Sequence, residues 1–90
     1  MDKYIVKMIA EHRDLVARLK KLEDYIYSDK SDNDDRVEFA NKCIQLKAMR
    51  VYEEALNARL SNAGVEYNPV EKTYYNQIKF GSDFDADKEK

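Results

Sequence analysis

The sequence has little of what usually staples or punctuates a small protein: one cysteine, one histidine, one proline, two glycines and no tryptophan in 90 residues. A single Cys43 rules out an intramolecular disulfide, and Cys43 with His12 is too small a set for a Cys/His metal cluster. Gly64, Gly81 and Pro69 are the whole inventory of chain breakers, which disfavours a β-rich domain with its many turns. No continuous apolar run occurs, so neither a membrane span nor a signal peptide is expected. The net charge of −2 argues against a general DNA-binding role, since non-specific DNA affinity needs a net basic face. A local basic site for a small anion remains open. Enzyme signatures are also missing: there is no Gly-rich phosphate loop, no Ser-His-Asp set and no HExxH. No catalytic residue, no metal site and no cofactor is expected, and the unpaired Cys43 fits a reducing cytosol.

Helix-forming pattern fills the space left by these absences. Charged residues make up 38% of the chain. From about Asp2 to Tyr27, apolar residues recur at Ile5, Met8, Leu15, Leu19, Leu22 and Ile26, with His12 filling the one gap. The alternating three-and-four spacing is a heptad seam. Ser28 to Asp35 lacks apolar residues and reads as a loop, with Asp34 or Asp35 as N-cap and Glu38 three residues beyond Asp35. Asp29, Ser31 and Asn33 are superficially EF-like, but a central glycine and a terminal glutamate are not in register. A second helix is expected from about Arg36 to Ala63, stopped by Gly64.

That second helix carries two apolar rows. Phe39, Cys43, Leu46, Met49, Leu56 and Leu60 form one; Val37, Ala40, Ile44, Val51, Ala55 and Ala58 form the other. One row can pack on the first helix, and the second needs another partner. A chain this short buries little surface alone, so self-assembly is the expected route to stability. The expected fold is all-α: a long antiparallel helical hairpin over residues 1–64, then a C-terminal arm and acidic tail over 65–90. Asn68-Pro69 marks a turn, and Val70, Tyr74, Tyr75, Ile78 and Phe80 form a short helix or extended arm that docks on another subunit. Ser82 to Lys90 is the acidic tail.

Seven tyrosines offer flat rings with polar tips, suited to subunit contacts and to stacking on bases. Tyr25 and Tyr52 lie near the helical stripes and are expected in the core, whereas Tyr27 closes the first helix beside the loop. The first helix has a basic excess in Lys3, Lys7, Arg13, Arg18, Lys20 and Lys21. His12, at a core position of the seam, has three readings: a satisfied interface histidine, a ring that stacks on a ligand, or a general base.

The series Glu11, Leu15, Leu19, Leu22, Tyr25-Ile26 resembles the first helix of the small phage anti-CBASS sponge proteins. Gln45, Met49, Tyr52, Leu56 and Arg59-Leu60 are similar to their second helix, and the likeness runs from about Ile5 to Gly64 with a hairpin loop of different length. The resemblance implies a homo-oligomer, a hexamer, in the cytoplasm of an infected bacterial host. It would bind cyclic dinucleotides between protomers, and cyclic trinucleotides in separate pockets, without degrading them. By the same resemblance, His12 stands where relatives carry a base-contacting aromatic. Tyr27 stands where they carry a ligand-contacting lysine, with Lys30 the nearest cation, and Arg59 matches the second-helix arginine. The alternative is a helical protein-interaction module that inhibits a host protein, which needs only the amphipathic stripes and the Tyr-rich tail.

Overall fold

A computed structural model of the chain describes residues 2–76. Helix α1 (Lys3–Ile26) leads through a short 3-10 turn (Asp29–Asn33) into helix α2 (Arg36–Asn62), followed by strands β1 (Val65–Asn68) and β2 (Thr73–Asn76). The helices are about 36 and 40 Å long at 1.5 Å per residue, and they pack against each other along their length. No helix of the described residues is long and apolar enough to cross a membrane.

Local chemistry sets the ends of each helix. The Asp2 carboxylate accepts from the Tyr4 amide at 2.9 Å and starts α1. Its C-terminal carbonyls are met by hydroxyls from the following turn: Ser28 donates to Tyr25 O at 2.7 Å, and Ser31, itself buried, donates to Ile26 O at 3.1 Å. Short polar side chains thus satisfy groups that a helix end would leave unpaired. This is why the expected loop is wound into a 3-10 turn. Asp35 caps α2 by accepting from the Glu38 amide at 2.7 Å. Gly64 ends it with φ of 88°, a left-handed conformation that a Cβ would disfavour.

The two apolar rows of α2 part as their chemistry requires. Leu46, Leu56 and Leu60 are buried, and Leu56 and Leu60 join Met8, Leu15 and Val65 in the main core. Full burial of each leucine is worth about 1.5–3 kcal/mol. The other row faces outward: Val37, Ile44 and Val51 are 71%, 63% and 65% exposed and recur every seventh residue. Tyr25 is half-buried, whereas Tyr52, expected in the core, is exposed because it sits one position off the buried row.

The expected all-α fold is corrected beyond Gly64. In place of a short helix, β1 and β2 pair antiparallel, with Tyr67 opposite Tyr74 and Asn68 opposite Thr73. Val, Thr and Tyr favour strands, and the Asn68 side chain builds the turn by accepting from the amides of Val70 and Glu71. The hairpin folds back on its own helices: Val65 enters the core and Tyr74 packs against it. Ile78, Phe80 and the Ser82 to Lys90 tail lie outside the described residues.

Candidate ligand-binding surfaces

The most tightly enclosed polar group is His12, whose side chain is 0% exposed. Its Nε2 lies 2.7 Å from Glu53 Oε2 on α2, and its Nδ1 lies 2.6 Å from the Tyr74 hydroxyl on β2. A carboxylate can only accept, so Nε2 carries the hydrogen; in the neutral ring Nδ1 then accepts from the phenol. Burial, with the neighbouring Tyr67 ring adding to it, pushes the Tyr74 phenol up to about 12, so it stays protonated and able to donate. The rings of Tyr67 and Tyr74 meet the imidazole edge-on at 4.8 and 5.5 Å. Both nitrogens and the ring of His12 are therefore engaged within the chain. It clasps α1, α2 and the β-hairpin together, and offers no open face for a base to stack on.

Glu53 and Tyr74 are the functional residues that pattern reading missed. Their partner is 41 and 62 residues away. A signal existed nonetheless. Glu53 fills the gap between Met49 and Leu56 in the buried row of α2, as His12 fills the gap in α1, and two polar gaps in facing seams call for each other.

Two shallow hollows flank this clasp, near opposite ends of the helical hairpin. One, about 360 Å³, is lined by Tyr4, Met8, Ala58 and Arg59. Here the Arg59 guanidinium donates to the Tyr4 hydroxyl and sits 5.6 Å from the centre of its ring. The other, about 400 Å³, is lined by Arg18, Lys21, Tyr25, Lys42 and Met49. Lys42 rides over the Tyr25 ring at 4.1 Å and donates to Asp34 at 2.9 Å, while Tyr25 donates to the same carboxylate. These hydrogen bonds, from Lys42 first and Tyr25 second, hold the Asp34 carboxyl below its ordinary value, and the bond to Asp34 holds the Lys42 ammonium above its own. Arg18 is tied to Asp14, whereas Lys21 has no partner among the described residues. Each hollow thus couples an aromatic ring to one or more cations, the combination that recognises bases and phosphates.

The four residues singled out from the sequence do not form one cluster within the chain. Arg59 joins Tyr4 at one end, and His12 is closed in the middle. Tyr27, 75% exposed, and Lys30, also exposed, stand at the other end beside the turn. Among the described residues, no group of three His, Cys, Asp or Glu side chains could hold a metal ion. No curated protein and no solved structure matches the chain. A family model does: the one described as Sequestin matches residues 2–62, which takes in both helices and the residues named in both hollows. On that match over most of its length, the chain belongs to the Sequestin family, the phage anti-CBASS cyclic nucleotide sponge proteins.

Proposed function

We propose that the protein sequesters cyclic oligonucleotide messengers, cyclic dinucleotides and also cyclic trinucleotides, holding them intact between the protomers of a homohexamer in the cytoplasm of the infected cell. The observation that carries this reading is the pairing of tyrosine rings with cations in two open hollows, both inside the family-matched segment. A cyclic dinucleotide has two bases, two phosphates and near two-fold symmetry. A two-fold contact between chains offers each ring and each cation twice around a matching axis. Arg59 with Tyr4 supplies one such half-site. Tyr25, Lys21 and Lys42 supply another, with Tyr27 and Lys30 on the neighbouring rim. His12 is a positioning residue that fixes the helices carrying both. The exposed row of Val37, Ile44 and Val51 is the surface on which chains associate, because β-branched residues at a strict seven-residue interval pack well against another helix.

Sequestration demands tight binding and no chemistry. Nanomolar affinity corresponds to about −12 kcal/mol. Isothermal titration with a panel of cyclic di- and trinucleotides is expected to give such affinity at a fraction of a ligand per chain, with unchanged ligand recovered after denaturation. A linearised product would overturn the non-catalytic part. Silence across the panel would overturn the whole reading and leave the exposed row of α2 as the docking face of a helical inhibitor of a host protein.

A further inference from the structure

The β-hairpin lies outside the family-matched residues, and it closes one side of a groove whose other side is α1 and α2. The groove has two connected chambers sharing Val16, Tyr67 and Lys72. The smaller, about 140 Å³, is lined by Arg13, Lys72, Tyr67 and Tyr74 and by no carboxylate. The larger, about 380 Å³, is walled by Val16, Leu19, Pro69 and Tyr67, with Glu53 and Glu54 at its polar side. Arg50 also borders it, but its charge is answered by Glu23.

The small chamber is an anion site by composition. Two cations face it, and its volume of about 140 Å³ leaves room for a phosphate group; the Tyr74 hydroxyl, already donating to His12, forms wall only. Lys72 forms no ion pair among the described residues, and Arg13 is held 5.1 Å from the centre of the Tyr74 ring with no carboxylate partner among them. Neither cation is therefore neutralised. Lys72 also sits at φ of 59°, a left-handed conformation that favours glycine, locked by its amide donating to Asn68 O at 2.7 Å. A long cationic side chain is kept where the backbone would prefer none. The wall behind it is rigid, because Tyr74 is fastened to the buried His12.

The large chamber has the features of a base slot. It is mostly apolar, it falls within the size of small-molecule sites, and Tyr67 provides a ring for stacking. Two carboxylates line it: Glu53 is bonded to His12, whereas Glu54 has no partner among the described residues, and an ionised carboxylate only accepts. Glu54 would receive the exocyclic amine of adenine or guanine and repel a carbonyl at the same edge.

We propose that this groove binds one purine nucleoside monophosphate unit within a single protomer: the phosphate between Arg13 and Lys72, an amine-bearing purine against Tyr67 and Glu54. It is separate from the two inter-protomer hollows and does not rest on the reading proposed for them.

The test is titration of the full chain with AMP, IMP and inorganic phosphate. AMP is expected to bind at one per chain, and IMP at least tenfold more weakly. Lys72→Ala and Arg13→Ala should each weaken AMP at least tenfold, while Lys47→Ala, at an exposed position of α2 away from the groove and both hollows, leaves it unchanged. Lys72→Gly relaxes the turn as it removes the cation, so its melting temperature should hold or rise while AMP binding falls; this separates lost recognition from lost folding. No saturable binding at millimolar AMP would overturn the proposal. Equal binding of AMP and IMP, or of phosphate alone, would overturn the base slot. If the cyclic ligands bind and AMP does not, the groove fails and the sponge stands; if AMP binds and the cyclic ligands do not, the groove stands and the sponge fails.

Discussion

Replacing Tyr74 with phenylalanine isolates the hydroxyl that ties the β-hairpin to the helices. The ring and its edge-on contacts remain, so the change is confined to the bond to His12 Nδ1. The His12 side chain is completely buried, so bulk solvent cannot replace the lost donor. Leaving a buried acceptor unsatisfied costs about 1–3 kcal/mol. In a chain of this size each kcal/mol moves the melting temperature by about 4–8 °C, giving an expected fall of about 5–20 °C at neutral pH. The phenol also has an alkaline signature. Its pKa is raised in the fold from 10.0 to about 12. The unfolded chain therefore releases this proton first, and the wild type loses stability as pH climbs through that window. The loss is about 1 kcal/mol near pH 11, screened somewhat because the ring is part-exposed. The phenylalanine variant has no such proton to lose, so the gap between the two proteins should narrow on going from neutral to alkaline pH. Circular-dichroism melts at matched protein concentration read both effects, with the exposed Tyr75→Phe as control. A melting temperature unchanged at neutral pH, or a gap that ignores pH, would refute the clasp.

The outward row of α2 and the acidic turn before it give two further tests. Val51→Glu, at a position that the isolated chain leaves exposed, should barely alter the protomer yet split the assembly, since a charge would be buried at a packed contact; an unchanged mass by light scattering would move the interface elsewhere. Asp34→Asn removes a carboxyl whose folded pKa is depressed by Lys42 and Tyr25. Its contribution is present above the ordinary carboxylate value and lost as pH falls through the folded one, so the variant should be less stable at neutral pH and converge with wild type in acid. Parallel pH–stability curves would show that the bond contributes nothing.

Much of the helical hairpin was legible because its signals are local and periodic. Three-and-four spacing exposed the seam of α1, Asp35 and Gly64 marked the ends of α2, and the sorting of Leu46, Leu56 and Leu60 from Val37, Ile44 and Val51 followed from heptad arithmetic. The β-hairpin resisted the same treatment. Its strands are four residues each, too short for an alternation to stand out, and Asn68-Pro69 announces a turn without saying what the turn connects. Tyr74 acquires its meaning only from His12, far away in sequence. The resemblance named cations and aromatics one at a time, whereas pairings such as Arg59 with Tyr4 depend on which turns of two antiparallel helices face each other, a matter of register that no single segment encodes.

The placement of Tyr4 in the first turn of α1 and Tyr25 in its last has a consequence for how a filled protein behaves. Twenty-one residues of helix put these rings about 31 Å apart along the axis. Salt screens charge over about 8 Å at physiological ionic strength. If the two hollows hold ligand as proposed, phosphates captured at one end are screened from those at the other. On that proposal occupation of the two ends is additive, and the protein would lower free messenger in proportion to the copies made, as a buffer does, rather than switching at a threshold.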